Sequence, residues 1–211
     1  MIKKCIHNSS LTLSEVKELA KVRPHEPFIN YKGNNPWDYP PNDEVDAIKK
    51  KIRVDLEASQ KVCGFCGLKL KGTSQGQIEH IAPKAYFRHP EFTFTLKNLV
   101  LACHYCNSPE KKGTKDTISI KKTIYSKCKF NIVHPYLDDP EEHYEWTDNE
   151  IELLIQVKND SPQARKSIEI FGLDNPDMSE LRAGEFRHSQ LKTKYALLPA
   201  DELLLEAALG K

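Results

Sequence analysis

Two pairs of cysteines have the most specific spacing for chemistry in this sequence. They are Cys63-x-x-Cys66 and Cys103-x-x-Cys106, and 36 residues separate the pairs. A Cys-x-x-Cys turn presents two thiolates to one ion with little strain, and two such turns complete the tetrahedral shell that Zn²⁺ prefers. The separation exceeds that of a simple zinc finger, so a structural zinc is predicted to clamp the two ends of an inserted unit. Disulfides or a redox role, and unrelated core cysteines, are the alternatives.

The inserted unit contains Glu79-His80, a carboxylate beside an imidazole. The surrounding residues alternate between apolar and polar like the end of a strand, and Pro83 then ends regular pairing. Neighbours on a strand point to opposite faces, so Glu79 and His80 are not expected to bind one ion together. We expect the carboxylate to hold a hard divalent cation and the imidazole to act on water as a general base. A satisfied surface pair is the alternative.

Taken together, these positions resemble the HNH endonuclease family, whose ββα-metal motif is a short hairpin followed by a helix. The resemblance covers roughly residues 62–113. It combines the two cysteine pairs with Glu79-His80, Asn98-Leu99, Cys106-Asn107 and Lys112-Gly113. The spacing from Cys-Asn to Lys-Gly is longer than usual for the family, and Glu79 replaces the commoner Asp.

The resemblance implies metal-dependent hydrolysis of phosphodiester bonds. His80 would be the general base, and Glu79 with Asn107 would bind a catalytic Mg²⁺ or Mn²⁺. Asn98 would brace the loop that aims His80. The alternatives are a turn residue for Asn98 and a helix N-cap for Asn107.

Basic charge is concentrated around this motif. Residues 61–130 hold 13 Lys and Arg against 4 Asp and Glu, a net charge of +9, and the rest of the chain holds 18 against 26, a net charge of −8. The overall charge of +1 hides this division, which favours a polyanionic substrate for the core. The residues expected to contact nucleic acid are Lys84, His104, Lys111, Lys112 and Lys115. DNA is the expected substrate and RNA stays open, while a solvated lysine face is the alternative.

The flanking segments are predicted to be mainly helical, which makes the fold α+β: a ββα-metal HNH core clamped by a four-cysteine zinc site. A capping box at Thr12-x-x-Glu15 opens one helix, and a second helix spans about Asp43 to Ser59. Ser161-Pro162 and Gly172 bound a later helix. The predicted segments are 1–60, helical; 61–130, the nuclease core; and 131–211, acidic and mainly helical.

Two groups of apolar side chains are predicted to be buried. The first is the aromatic group close to the motif, for which base stacking is the alternative: Tyr86, Phe87, Phe92 and Phe94. The second is Leu203 to Leu205 in a terminal helix, for which a partner interface is the alternative.

A narrower resemblance concerns the small HNH proteins of the Septu anti-phage system, which also occur beside some retrons. It rests on the helix before the first cysteine pair, on the segment Glu79-His80-Ile81-Ala82-Pro83-Lys84 and on a helical tail that is similar to theirs. This resemblance implies a defence nuclease acting with an ATPase partner of the ABC or SMC type. The acidic run from Asp138 to Glu152 is either solvated surface, a docking surface for a basic partner, or a segment that restrains the lysine face.

Competing functions are a self-sufficient restriction-type or mobile-element HNH nuclease and, in another class, a zinc-ribbon binding module without catalysis. A zinc-dependent nucleobase deaminase is disfavoured because its His-x-Glu and Pro-Cys-x-x-Cys signatures are missing from the sequence. No apolar run is long enough to cross a membrane and no signal peptide is recognised. We therefore expect a cytoplasmic protein with no membrane partner.

Overall fold

A computed structural model of the chain describes residues 1–22, 35–38, 42–70, 75–148, 153–195 and 199–208. The helices in these ranges are α1 (Leu13–Lys21), α2 (Asp43–Ser59), α3 (His104–Asn107), α4 (Pro140–His143), α5 (Pro162–Phe171), α6 (Pro176–Tyr195) and α7 (Pro199–Ala208). The strands are β1 (Gln77–His80), β2 (Leu99–Ala102), β3 (Ile118–Ile120), β4 (Lys129–Phe130), β5 (Tyr144–Asp148) and β6 (Leu153–Val157). They pair as three antiparallel hairpins, β1-β2, β3-β4 and β5-β6. Helices mixed with small sheets around a four-cysteine cluster confirm the predicted α+β class.

The β1-β2 hairpin and α3 form the predicted ββα unit. In its register Glu79 lies opposite Val100, and His80 lies opposite Leu99. Every side chain of β2 is buried, whereas β1 is partly exposed. β2 is therefore the inner strand of the hairpin and β1 the outer strand. Cys103 separates β2 from α3, which brings the second cysteine pair to the end of the hairpin.

The two N-terminal helices begin where the sequence predicts, and the second also ends where predicted. At the start of α1 the Thr12 hydroxyl accepts from the Glu15 amide at 3.3 Å, and the Glu15 carboxylate accepts from the Thr12 amide at 2.6 Å. In α2 the apolar positions at helical spacing form one buried face, Val45, Ile48, Ile52 and Leu56. This face packs with α1 and β2 in one apolar cluster and so supports the hairpin from behind.

The C-terminal part packs against the first cysteine turn. The rings of Phe65 and Phe171 are stacked with centroids 4.3 Å apart. Phe171 ends α5, which begins at the predicted cap, where the Ser161 hydroxyl accepts from the Ala164 amide at 3.2 Å. Gly172 then stops the helix with a φ of 58°, a left-handed conformation that glycine adopts without strain. The apolar cluster around the cysteines accordingly extends from Ile2 to Met178.

Two predictions of burial are wrong in part. Leu203 and Leu204 on α7 are 69% and 71% exposed, and the side chain of Leu205 lies outside what the structure describes. Tyr86 and Phe87 are also exposed, whereas Phe92 is buried and Phe94 packs partly buried against the α1-α2 cluster. The proline-rich segment before α2 lies outside the described residues, apart from a short 3₁₀ helix at Pro36–Asp38. The three predicted segment boundaries stay predictions.

Within the residues that the structure covers, no helix has the length and apolar character needed to cross a lipid bilayer.

Candidate active site and zinc cluster

The four paired cysteines converge on one point. Their sulfur atoms all lie within 4.8 Å of one another, and three of the four residues are buried. Each pair sits in a tight turn. The Gly67 amide donates to the Cys63 carbonyl at 2.9 Å, the Asn107 amide donates to the Cys103 carbonyl at 3.0 Å, and Gly67 has a φ of 75°. The two turns therefore hold the sulfurs in place from the backbone.

The donor set of this cluster fits zinc. The hydrogen bond with the Cys103 sulfur, together with burial, raises the pKa of both Cys66 and Cys106, so that without a cation these two thiols keep their protons. Four thiolates in this volume need a cation between them to be stable. Tetrahedral coordination by four cysteines is a common structural site for Zn²⁺, so the cluster can hold this ion.

One face of β1 meets the end of α3. Gln77 and Glu79, two residues apart, share that face. The Asn107 side-chain amide donates to the Gln77 side chain at 2.8 Å. Asn107 is the last residue of α3, and Cys103 is its N-cap, so the N-cap alternative for Asn107 is wrong. The hairpin thus brings Glu79 and Asn107 to one side of the unit.

Lys112 also belongs to this face, which corrects its prediction as a nucleic-acid contact. Its side chain is 0% exposed, and its ammonium lies 3.4 Å from the Glu79 carboxylate. The turn after α3 folds back so that the Lys112 amide donates to the Cys106 carbonyl at 3.2 Å, which directs the side chain inward. Burial raises the pKa of Glu79 and lowers that of Lys112, and their attraction offsets this only partly.

The oxygen atoms on this face are suited to a hard divalent cation. Glu79 offers a carboxylate and Asn107 an amide oxygen, both hard ligands. Mg²⁺ usually keeps several waters and takes only one or two carboxylates besides substrate phosphates. The two side chains therefore supply oxygen ligands of the type that such a cation takes together with a bound phosphate.

His80 points away from Glu79, as neighbouring strand residues must. Its Nε2 lies 3.1 Å from the Thr93 carbonyl oxygen. A carbonyl only accepts hydrogen bonds, so the ring proton belongs on Nε2 and the lone pair on Nδ1. Burial, followed by the charge of Lys84, lowers the pKa of His80 to about 3. The ring is therefore neutral near pH 7, with Nδ1 able to accept a proton.

Asn98 holds the loop that supplies this carbonyl. The residue is 0% exposed and ends a 3₁₀ turn. Its Oδ1 accepts from the Ala82 amide at 2.7 Å, and its Nδ2 donates to the carbonyls of Ala82 at 3.1 Å and Phe92 at 3.0 Å. Asn98 consequently ties the residue before Thr93 to the segment that follows His80, which is more than a plain turn residue does.

This arrangement of a four-cysteine cluster, hairpin and helix can be compared with known families. Residues 63–115 match the family model described as HNH endonuclease. Residues 63–115, here called the HNH domain, are therefore similar to HNH endonucleases. The domain includes all four paired cysteines and both residues of the Glu79-His80 motif.

One curated relative extends this similarity beyond the HNH domain. It is the Septu protein PtuB of Bacillus mycoides (strain KBAB4), which is 27% identical over 146 residues. The alignment covers 62% of this chain and 48% of that protein. The chain thus spans about half the length of the curated relative that it matches.

The other predicted nucleic-acid contacts of the HNH domain lie in different surroundings. His104 and Lys115 are exposed, and the Lys115 ammonium contacts the carbonyls of Glu110 and Lys111. Lys111 is partly buried, with its ammonium 4.8 Å from the centre of the Tyr105 ring. Lys84 is partly buried and paired with Asp38.

Residues outside the HNH domain reach its site, and the sequence did not point to them. The Trp37 ring covers His80, and the Asp38 carboxylate lies 2.7 Å from the Lys84 ammonium. Tyr125 reaches Asn98 from beyond the other end of the domain. These residues carry no motif of their own.

Proposed function

We propose that this protein is a metal-dependent HNH endonuclease that hydrolyses phosphodiester bonds of DNA. The observation that carries the proposal is the orientation of His80. The Thr93 carbonyl accepts the Nε2 proton and leaves Nδ1 as a neutral base, while Glu79 on the same strand faces the opposite side with Asn107. A zinc-ribbon module without catalysis would have no need of this division between two faces.

In this proposal Glu79 and Asn107 would hold a divalent cation such as Mg²⁺ or Mn²⁺. When bound, such an ion neutralises the charge that develops on the phosphate in the transition state. His80 takes the proton from the attacking water through Nδ1, and its Nε2–H···O=C bond to Thr93 keeps the ring in the required orientation. Asn98 is a positioning residue, because its side-chain bonds are made to the surrounding loops. The cysteine cluster would bind a structural Zn²⁺ and take no part in the reaction.

The direct test is cleavage of a supercoiled plasmid by the purified protein with Mg²⁺ or Mn²⁺. We expect nicked and then linear products, and none in the presence of excess chelator. A single-stranded RNA and a duplex DNA of the same sequence, assayed side by side, decide the substrate. Binding without cleavage under every metal condition, by the zinc-replete protein, would instead support the zinc-ribbon module.

We further propose that the nuclease acts in anti-phage defence, in the cytoplasm, together with an ATPase partner of the ABC or SMC type. The similarity to a Septu protein supports the biological setting. The sequence contains no Gly-x-x-x-x-Gly-Lys loop, so nucleotide sensing would come from another chain. Support for a docking surface in the C-terminal part comes from the net charge of −8 outside the core and from the exposed Leu203 and Leu204 on α7.

Co-expression with candidate ATPases of the ABC or SMC type tests the partnership. We expect one such ATPase to co-purify with this protein and to change the cleavage rate. The matched variant is Leu203→Ser with Leu204→Ser, which alters exposed side chains and should weaken co-purification while leaving zinc content intact. Strong cleavage by the isolated protein that the ATPase does not change, without co-purification, would favour a self-sufficient HNH nuclease.

A further inference from the structure

A buried row of hydrogen bonds joins Asn98 to two residues beyond the HNH domain. The Tyr125 hydroxyl lies 2.9 Å from the Asn98 Oδ1 and 2.9 Å from the His134 Nε2. Tyr125 is buried, and His134 and Asn98 are fully buried. Water is therefore excluded, and each polar atom of the row depends on its protein partner.

The direction of these bonds is determined at the Asn98 end. The Ala82 amide can only donate, so it must face the Asn98 oxygen, and the carbonyls of Ala82 and Phe92 can only accept, so they must face the Asn98 nitrogen. The Asn98 Oδ1 is then an acceptor. Tyr125 has one hydroxyl proton and must donate it to this oxygen.

The same direction follows independently at the His134 end. Two backbone amides, those of Tyr136 at 3.1 Å and Leu137 at 3.3 Å, donate to the His134 Nδ1. Nδ1 is therefore unprotonated, and the neutral ring carries its proton on Nε2. This proton is donated to the Tyr125 oxygen, whose own proton goes to Asn98. Backbone groups at both ends thus require one and the same pattern of protons.

The row ends beside the carbonyl that orients His80. Asn98 donates to the Phe92 carbonyl at 3.0 Å, and the next carbonyl along the chain, that of Thr93, accepts from His80 at 3.1 Å. Thr93 itself is buried and its hydroxyl donates to the Pro90 carbonyl at 2.7 Å. The backbone of this short loop is therefore held by that bond and by the Asn98 side chain. An Asn98 amide that rotates would shift the Thr93 carbonyl.

We infer that Tyr125 and His134 are positioning residues for the base: they lock the Asn98 amide, and through it the loop that fixes the tautomer of His80. This inference rests on the proposed role of His80. Both residues lie outside residues 63–115, so the HNH domain would depend on the segment that follows it for its catalytic geometry.

The test compares Tyr125→Phe with Tyr136→Phe. Tyr136 is a matched control for the loss of a buried hydrogen bond in the same region, because it is equally buried and its hydroxyl donates to the Leu99 backbone carbonyl at 2.8 Å and not to the Asn98 side chain. The first readout is ¹⁵N NMR of the imidazole nitrogens in the protein without DNA, with His80 assigned by its disappearance in His80→Gln. The second is the plasmid-cleavage rate and the apparent affinity for DNA.

We expect His80 to be the Nε2–H tautomer in the wild type and in Tyr136→Phe, and to show mixed tautomers in Tyr125→Phe. Tyr125→Phe should also lower kcat about tenfold, as the loss of about one buried hydrogen bond would, with KM unchanged. An unchanged His80 spectrum and an unchanged kcat in a folded Tyr125→Phe protein overturn the inference, and so does a wild-type His80 protonated on Nδ1.

Failure of this inference can be distinguished from misfolding of a variant and from failure of the proposed function. If Tyr125→Phe does not fold, His134→Asn serves in its place, because the Asn oxygen can accept from the amides of Tyr136 and Leu137 while the donor to Tyr125 is lost. If the wild-type protein shows no cleavage at all, the proposed function fails. The NMR comparison still decides whether Tyr125 controls the His80 ring.

Discussion

The ring of Trp37 stands edge-on against the imidazole of His80, with centroids 4.9 Å apart and planes at 84°. Trp37 precedes the HNH domain in sequence and helps to leave His80 only 3% exposed. The next residue, Asp38, pairs with Lys84. This short segment therefore covers His80 and pairs with Lys84, one of the predicted phosphate contacts, at the same time.

Removing the Asp38 charge should strengthen binding to DNA. In Asp38→Asn the Lys84 ammonium loses its carboxylate partner and becomes available to a phosphate, so we expect affinity for a short duplex to rise up to about fivefold, the size of one exposed charge pair. Fluorescence anisotropy at several salt concentrations measures it. Asp46→Asn is the control, since it removes the same charge from a carboxylate paired with Lys49 on α2. Equal effects of the two variants would show that only net charge matters.

Loss of the imidazole should abolish cleavage without disturbing the four-cysteine cluster. For His80→Ala we expect kcat to fall by about 10²–10⁴, the usual contribution of a general base, with wild-type zinc content and wild-type circular dichroism. His104→Ala changes an exposed imidazole and should lower DNA affinity while leaving kcat intact. Near-normal cleavage by zinc-replete His80→Ala would remove His80 from the mechanism.

The cysteine cluster should be necessary for folding. Cys66→Ser or Cys103→Ser should lose zinc and unfold the core, because structural zinc supplies on the order of 10 kcal/mol of binding energy that is also folding energy. Cys128→Ser is the matched control: this thiol is also buried but lies outside the cluster. Elemental analysis and thermal unfolding give the result, and unchanged zinc occupancy in the two cluster variants would contradict the assignment.

Two lysines close in sequence should behave differently. Lys112→Met leaves the partly buried Glu79 carboxylate without its partner, so we expect a loss of about 1–3 kcal/mol in the free energy of unfolding. Lys115→Ala removes an exposed charge. It should reduce the slope of log affinity against log salt by about one, with stability nearly unchanged. A reduced salt slope for Lys112→Met would show that Lys112 does contact a phosphate.

Stability should decrease in mild acid, and His134 should account for part of the decrease. Burial lowers the pKa of His134 to about 3, against about 6.5 in an unfolded chain. Between these values the unfolded chain binds a proton that the folded chain does not. The contribution of His134 is therefore complete above about pH 6.5 and is lost towards pH 3, by up to about 1.4 kcal/mol per pH unit. Urea unfolding of the wild type and His134→Asn between pH 7 and 5 measures this, since the variant should show the smaller slope. Equal slopes of the unfolding free energy against pH in the two proteins would refute this role of His134.

Local sequence determined the parts of this protein whose causes are local. Turns that bring two thiolates together, a capping box, the apolar spacing of α2 and the alternation around Glu79-His80 each act within a few residues, so the cysteine pairs, α1, α2 and the ends of α5 could be predicted. The opposite directions of Glu79 and His80 follow in the same way from the geometry of a strand.

Tertiary structure decided which of these groups are covered, paired or braced. Asp38 reaches Lys84 across 46 residues and Tyr125 reaches Asn98 across 27, and no spacing rule connects residues so far apart. The same lysine-rich run yields a buried Lys112 and an exposed Lys115, because the turn after α3 directs one side chain inward towards Glu79 and the other outward. A residue type specifies the chemistry that a side chain can perform. Its burial and its partners depend on which distant segments pack beside it, and packing is a property of the whole folded chain.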